Sequence, residues 1–133
     1  MKQHEAATIK SELKPLIDLL LTLRSEGKVL IAILYGSYAN GNPHARFDID
    51  LAVYLGTTDE NENIEIIDSI LMSVERDVSI LRFDDEDESP FIVQEALKGV
   101  HLVEPDLDTL YAVTHRALHE SENILYRRGL HVG

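Results

Sequence analysis

Residues 29–55 read VLIAILYGSYANGNPHARFDIDLAVYL, and the order of patterns within this stretch decides the fold. Val29 to Tyr35 is an unbroken apolar run of strand length, bounded by Lys28 and by Gly36-Ser37. A run of this kind suits a central strand covered on both faces. Asn40-Gly41-Asn42-Pro43 then supplies dense turn chemistry. From Asp48 onward the chain alternates strictly, with Ile49, Leu51, Val53 and Leu55 on one side and Asp48, Asp50, Ala52 and Tyr54 on the other. That period of two marks a second strand whose faces differ in polarity.

Working outward, Ile9, Leu13, Leu16, Leu20 and Leu23 recur at steps of four, three, four and three, which predicts a helix from Ala6 to Arg24 with one buried face. Pro15 lies within it, so this helix either kinks there or begins there, and Gly27 is its expected C-terminal cap. Downstream, Asp59 and Glu62 stand at capping-box spacing and open a helix to about Ser73, with Ile64, Ile67, Ile70 and Leu71 expected on its buried side. Residues 76–83 alternate again, with Val78 and Ile80 opposite Asp77, Ser79 and Leu81, predicting a third strand. Ser89-Pro90 starts a helix that Gly99 stops, a short strand covers Val100 to Val103, and Pro105-Asp106 begins a last helix running to Gly129. The expected order is α-β-β-α-β-α-β-α. It is an α/β (α+β) arrangement in which helices pack on one small mixed sheet, in a single domain spanning residues 1–133.

Composition bounds the function. The 133 residues carry 12 Lys+Arg against 24 Asp+Glu, a formal net charge of −12. Such a surplus of acid disfavours nonspecific contact with a nucleic-acid backbone, which depends on cationic side chains. The 44% hydrophobic and 27% charged content is that of an ordinary globular chain. There is no cysteine, so disulfides, thiolate zinc sites and Cys nucleophiles are excluded. No signal peptide or membrane span is readable, and the chain reads as cytoplasmic.

The chemistry concentrates around the second strand. Residues two apart on a strand point the same way, roughly 7 Å between Cα atoms, so Asp48 and Asp50 form a pair. Their mutual repulsion is offset by a bound cation or by full solvation, and a hard ion with oxygen ligands, Mg²⁺ or Mn²⁺, suits them best. Gly36 lets a ligand approach the backbone, and the Ser37 hydroxyl with neighbouring amides can hold phosphate oxygens. Asp77 opens the next strand, where it can lie beside the first two acids. Three carboxylates around one or two ions can organise a nucleoside triphosphate and activate an attacking hydroxyl. Other features carry less: the run Asp84-Asp85-Glu86-Asp87-Glu88 reads as a solvated loop, and His115 and His119, flanked by Arg116 and Glu120, read as an exposed polar face.

Taken together, Gly36-Ser37, ten intervening residues, Asp48-Ile49-Asp50 and the later Asp77 resemble the signature of the DNA polymerase β-like nucleotidyltransferase superfamily. The wording Gly-Ser-Tyr-Ala before the loop and Asp-Ile-Asp-Leu-Ala-Val after it is similar to that of the minimal nucleotidyltransferase (MNT) proteins, and the likeness covers nearly the whole chain. Many MNT proteins are antitoxins paired with a HEPN-domain ribonuclease toxin. The resemblance implies an enzyme that transfers AMP from ATP to a tyrosine hydroxyl of that toxin, in a hetero-oligomer with it. It further implies Asp48, Asp50 and Asp77 as catalytic and metal-binding residues, Gly36 and Ser37 as nucleotide-binding, Mg²⁺ or Mn²⁺ as cofactor and ATP as substrate. HEPN toxins carry an Arg-x4-His motif, and no Arg of this chain has a His at that spacing, so the ribonuclease role falls to the partner. Two departures stand out: Asn40 where many relatives have a basic residue, for which Arg46 is a possible substitute, and Phe47 where many have a small Ser. An antitoxin that neutralises by binding alone is the alternative.

Overall fold

The computed structural model describes residues 3–36 and 49–132, with side chains over 12–36 and 49–126. The chain enters through α1 (Gln3–Ser25), which continues through Pro15. Of the two options the sequence left open, the proline is therefore internal. Leu13, Leu16, Leu20 and Leu23 are its buried side, as their spacing predicts. The helix ends in a Schellman turn: Gly27 has φ +75°, the Lys28 N–H donates to the Leu23 carbonyl at 2.9 Å and the Gly27 N–H to Arg24 at 3.1 Å.

Strand β1 (Val29–Tyr35) follows at once and runs antiparallel to β2 (Ile49–Leu55), with Tyr35 opposite Asp50. The next helix, α2 (Glu60–Met72), is capped by Asp59, whose side chain accepts from the Asn61 N–H at 3.0 Å. It carries the chain over to β3 (Val78–Arg82), which lies parallel to β2. A parallel neighbour requires a crossover of this kind, since a hairpin cannot reverse the chain twice. Helix α3 (Pro90–Leu97) has Pro90 in its first turn after Ser89, and β4 (Val100–His101) pairs antiparallel with the other side of β1. Helix α4 (Leu107–Val132) completes the chain, its first turn held by Asp106, which accepts from the Thr109 N–H at 3.2 Å. The strand order is β3-β2-β1-β4, so β1 and β2 are central in a four-stranded mixed sheet. The predicted α+β architecture is the one observed.

Two apolar layers sandwich the sheet. On one face α1 and α2 close over Val29, Leu34, Ile49, Leu51 and Val53. On the other, α3 and α4 pack through Val93, Ala96, Val113 and Ala117 onto Ile31, Ile33, Ala52, Leu81 and Phe83. The alternation read from the sequence is realised over residues 49–55, since odd positions of β2 enter one layer and even positions face the other.

Two expectations fail in detail. Helix α2 buries Asn63, Ile66 and Ile70, while Ile64 and Leu71 are exposed. At 100° per residue the five apolar residues between 64 and 71 span an arc of about 160°, with Ile64 and Leu71 together at the edge that the sheet does not cover. Asn63 turns inward because its Nδ2 donates to the Thr57 carbonyl at 3.2 Å, which relieves part of the cost of burying an amide. Arg116 is the second: rather than standing on an exposed polar face, it is half-buried and donates to the Phe83 carbonyl at 2.6 Å.

Candidate active site

The site is built where the α3/α4-covered face of the sheet runs out of apolar side chains. Along that face β2 presents Asp50, then Ala52 and Tyr54, and β3 presents Ser79 and Leu81. Asp50 stands between Tyr35 on β1 and Ser79 on β3, its register partners on either side. It is half-buried, at the end of the sheet where β1 finishes and β2 and β3 begin.

Gly36 follows β1 directly and has φ +75°, a conformation that side-chain-bearing residues rarely adopt. A Cβ built there would overlap Asp50 Oδ2 and lie 3.3 Å from its Cγ. The absence of a side chain at position 36 is therefore what lets the carboxylate sit against the backbone turn. This is the close approach anticipated from Gly36, with the carboxylate itself as the group that approaches.

Asp77 immediately precedes β3. Its carbonyl accepts from the Ile49 N–H at 2.9 Å, a bond that stitches the starts of β2 and β3 together. Strand alternation places Asp77 on the same face as Ser79 and so on the Asp50 face, diagonally across the ladder at about 8 Å between Cα atoms. Of the three predicted carboxylate residues, Asp50 lies at this end of the sheet and the Asp77 backbone is bonded to the start of β2 beside it. Asp48, Ser37, Asn40 and Arg46 lie outside the described residues. Among the described residues no three His, Asp or Glu side chains are grouped closely enough to hold a metal ion.

Two flanking residues escape a reading by motif. The half-buried Tyr35 hydroxyl is pushed above its ordinary pKa, first by burial and then by the negative charges of Asp50 and Glu88. Glu88 closes the acidic run, whose members Asp85, Glu86 and Asp87 are exposed as expected of a solvated loop. Glu88 itself is half-buried and near enough to act on Tyr35. The available signal was its position directly before Ser89-Pro90, because a helix start fixes the residue that precedes it. His115 and His119 are exposed as expected, their rings stacked with centroids 6.5 Å apart.

Comparison with known proteins gives the family. The family model for polymerase beta nucleotidyltransferases matches residues 18–108, which span α1 to the start of α4 and include both acidic strands. The chain belongs to the polymerase beta nucleotidyltransferase family. Three solved structures are similar to it in fold. A toxin-antitoxin with AMP-PNP is 19% identical with a TM-score of 0.65, covering 87% of this chain and 94% of that one. The toxin-antitoxin MntA-HepT is 15% identical with a TM-score of 0.60, over 90% and 95% of the two chains. A complex of a tri-AMPylated Shewanella oneidensis HEPN toxin with an MNT antitoxin is 17% identical with a TM-score of 0.59, over 90% and 94%. No curated protein matches the chain. No helix among the described residues of this nucleotidyltransferase is long and apolar enough to cross a membrane.

Proposed function

We propose that this nucleotidyltransferase is an MNT antitoxin that transfers AMP from ATP to a tyrosine hydroxyl of a HEPN-type toxin. The observation that carries the reading is the corner where Asp50 packs on Gly36 while Asp77 is tied to the start of β2. Three features support the partner and the nucleotide. The chain is a family member, its fold is similar to that of a toxin-antitoxin with AMP-PNP, and a further similar structure contains an AMPylated HEPN toxin.

The donor set fits a hard divalent cation, because carboxylate oxygens are the ligands Mg²⁺ and Mn²⁺ prefer, and the cradle at Gly36 is kept clear of a side chain. Asp48, Asp50 and Asp77 are the residues that would hold Mg²⁺, which when bound neutralises triphosphate charge. The Gly36 amide and Ser37 hold the phosphate tail. Asp77, exposed at the rim, accepts the proton of the attacking hydroxyl. The acceptor oxygen bonds to the α-phosphorus, the bond from that phosphorus to the bridging oxygen breaks, and pyrophosphate leaves. The modified tyrosine loses its free hydroxyl and gains a negative charge.

The test is transfer of label from α-³²P-ATP to a co-purified HEPN toxin. Label on the toxin, lost in the Asp48→Ala/Asp50→Ala double variant while the complex still co-elutes, is the expected result. Undiminished transfer by that variant overturns the reading. Neutralisation of the toxin by a chain that never transfers label would replace the enzyme with a binding antitoxin.

A further inference from the structure

Helix α4 has two apolar sides, and the fold uses one. Val113 and Ala117 are buried against the sheet and α3. A second set stands in solvent: Leu107 and Tyr111 are each 72% exposed, Leu118 48% and Leu125 55%. At 100° per residue these four fall within an arc of about 40°, rotated well away from the buried side. Between them Thr114 is half-buried and Ser121 is buried, accepting a hydrogen bond from Gln94 Nε2 at 2.6 Å, so the exposed set runs 107, 111, 118, 125, with steps of four, seven and seven. This is the spacing of a seam that receives another helix, and its 19 residues extend over about 27 Å. Scattered exposed leucines are ordinary, but four in register over five turns are not.

The charges beside the seam indicate what it receives. Its solvent flank carries Asp108, His115 and Glu122, all exposed. In antiparallel self-pairing, residues of this flank face the same flank of the second copy, so Asp108 would meet Glu122. Two chains of net charge −12 would in addition be brought together. Both features oppose a second copy and favour a cationic partner. We infer that the Leu107-Tyr111-Leu118-Leu125 side of α4 docks an amphipathic helix of a different protein, with an apolar seam flanked by Lys or Arg. The inference stands apart from nucleotide transfer, since none of these residues lies at the Gly36-Asp50-Asp77 corner.

Two fluorescein-labelled helical peptides test it. Both carry the same leucine seam, one with Lys and the other with Glu at the flanking positions, and binding to the full chain is read by anisotropy. The Lys-flanked peptide is expected to bind about tenfold or more tightly than the Glu-flanked one. Leu118→Asp/Leu125→Asp is expected to remove that binding, while Met72→Asp, at an exposed position on α2, leaves it unchanged. Circular dichroism checks that both variants are folded. Equal affinity for the two peptides, or no affinity for either, overturns the proposal. So does sedimentation showing a native dimer that Leu118→Asp converts to monomer, which would make the occupant a second copy.

Discussion

The two faces of the sheet are built to different ends. Under α1 and α2 the strands present an uninterrupted apolar surface, from Val29 through Leu51 to Leu55, and the helices close it with Leu13, Leu16 and Leu20. Under α3 and α4 the same strands begin in the same way, with Ile31, Ile33 and Ala52, but at the sheet's end give way to Tyr35, Asp50 and Ser79. The closed face stabilises the fold; the open face gives up part of its burial for carboxylates beside a glycine. Substitutions on the two faces should therefore separate stability from chemistry.

The largest separation is expected at neighbouring positions of β2. Asp50→Ala should lower AMP transfer by roughly a thousandfold, the several kcal/mol that losing charge stabilisation at phosphorus entails. The thermal midpoint should fall much less than for a core substitution, because Asp50 is half-buried at the end of the sheet. Single-turnover transfer and calorimetry on one preparation check both halves, and full activity in this variant would dissolve the distinction between the faces. Leu51→Ala, one residue on and fully buried on the other side, should cost about 2–5 kcal/mol of stability. Urea unfolding measures that loss, and activity per folded molecule should not change.

Gly36→Ala combines both effects at smaller size. The positive φ costs an alanine about 1–2 kcal/mol, and its Cβ would displace the Asp50 carboxylate. Stability and transfer should fall together, which unfolding and kinetic measurements would register in parallel.

The smallest effect concerns Tyr35. Its pKa is raised in the folded chain, so above about pH 10 the unfolded chain sheds a proton that the folded chain retains. This contribution to stability is present below that pH and declines as pH rises toward the folded value. Ultraviolet titration should show a late-ionising tyrosine, and Tyr35→Phe should remove it. Loss of amplitude from the ordinary tyrosine phase near pH 10 instead of from a later one would overturn the raised value.

Much of this division was legible in the sequence. The run 29–35 and the alternation 49–55 gave both central strands and assigned Asp50 to the face opposite Leu51, because a period of two leaves little choice once one side is apolar. The inward arc of α2 could not be read in the same way, since Ile64 and Leu71 at one edge of its apolar arc stay exposed while the polar Asn63 is buried and bonds to the Thr57 carbonyl six residues back. Glu88 was obscured by four acidic neighbours that do face solvent or, in the case of Asp84, pair with Arg82 at 2.7 Å. Arg116 was misjudged because its partner is a backbone carbonyl on a distant segment, which no side-chain pattern reveals.

The hydrogen bond from Ile49 to Asp77 joins segments that the whole of α2 separates in the chain. Because α2 must cross over before that bond can form, the pairing of β2 with β3 waits on residues that follow β2 by the length of that helix. If Asp77 serves the transfer proposed above, a nascent chain that ends before β3 lacks one of the residues the reaction needs.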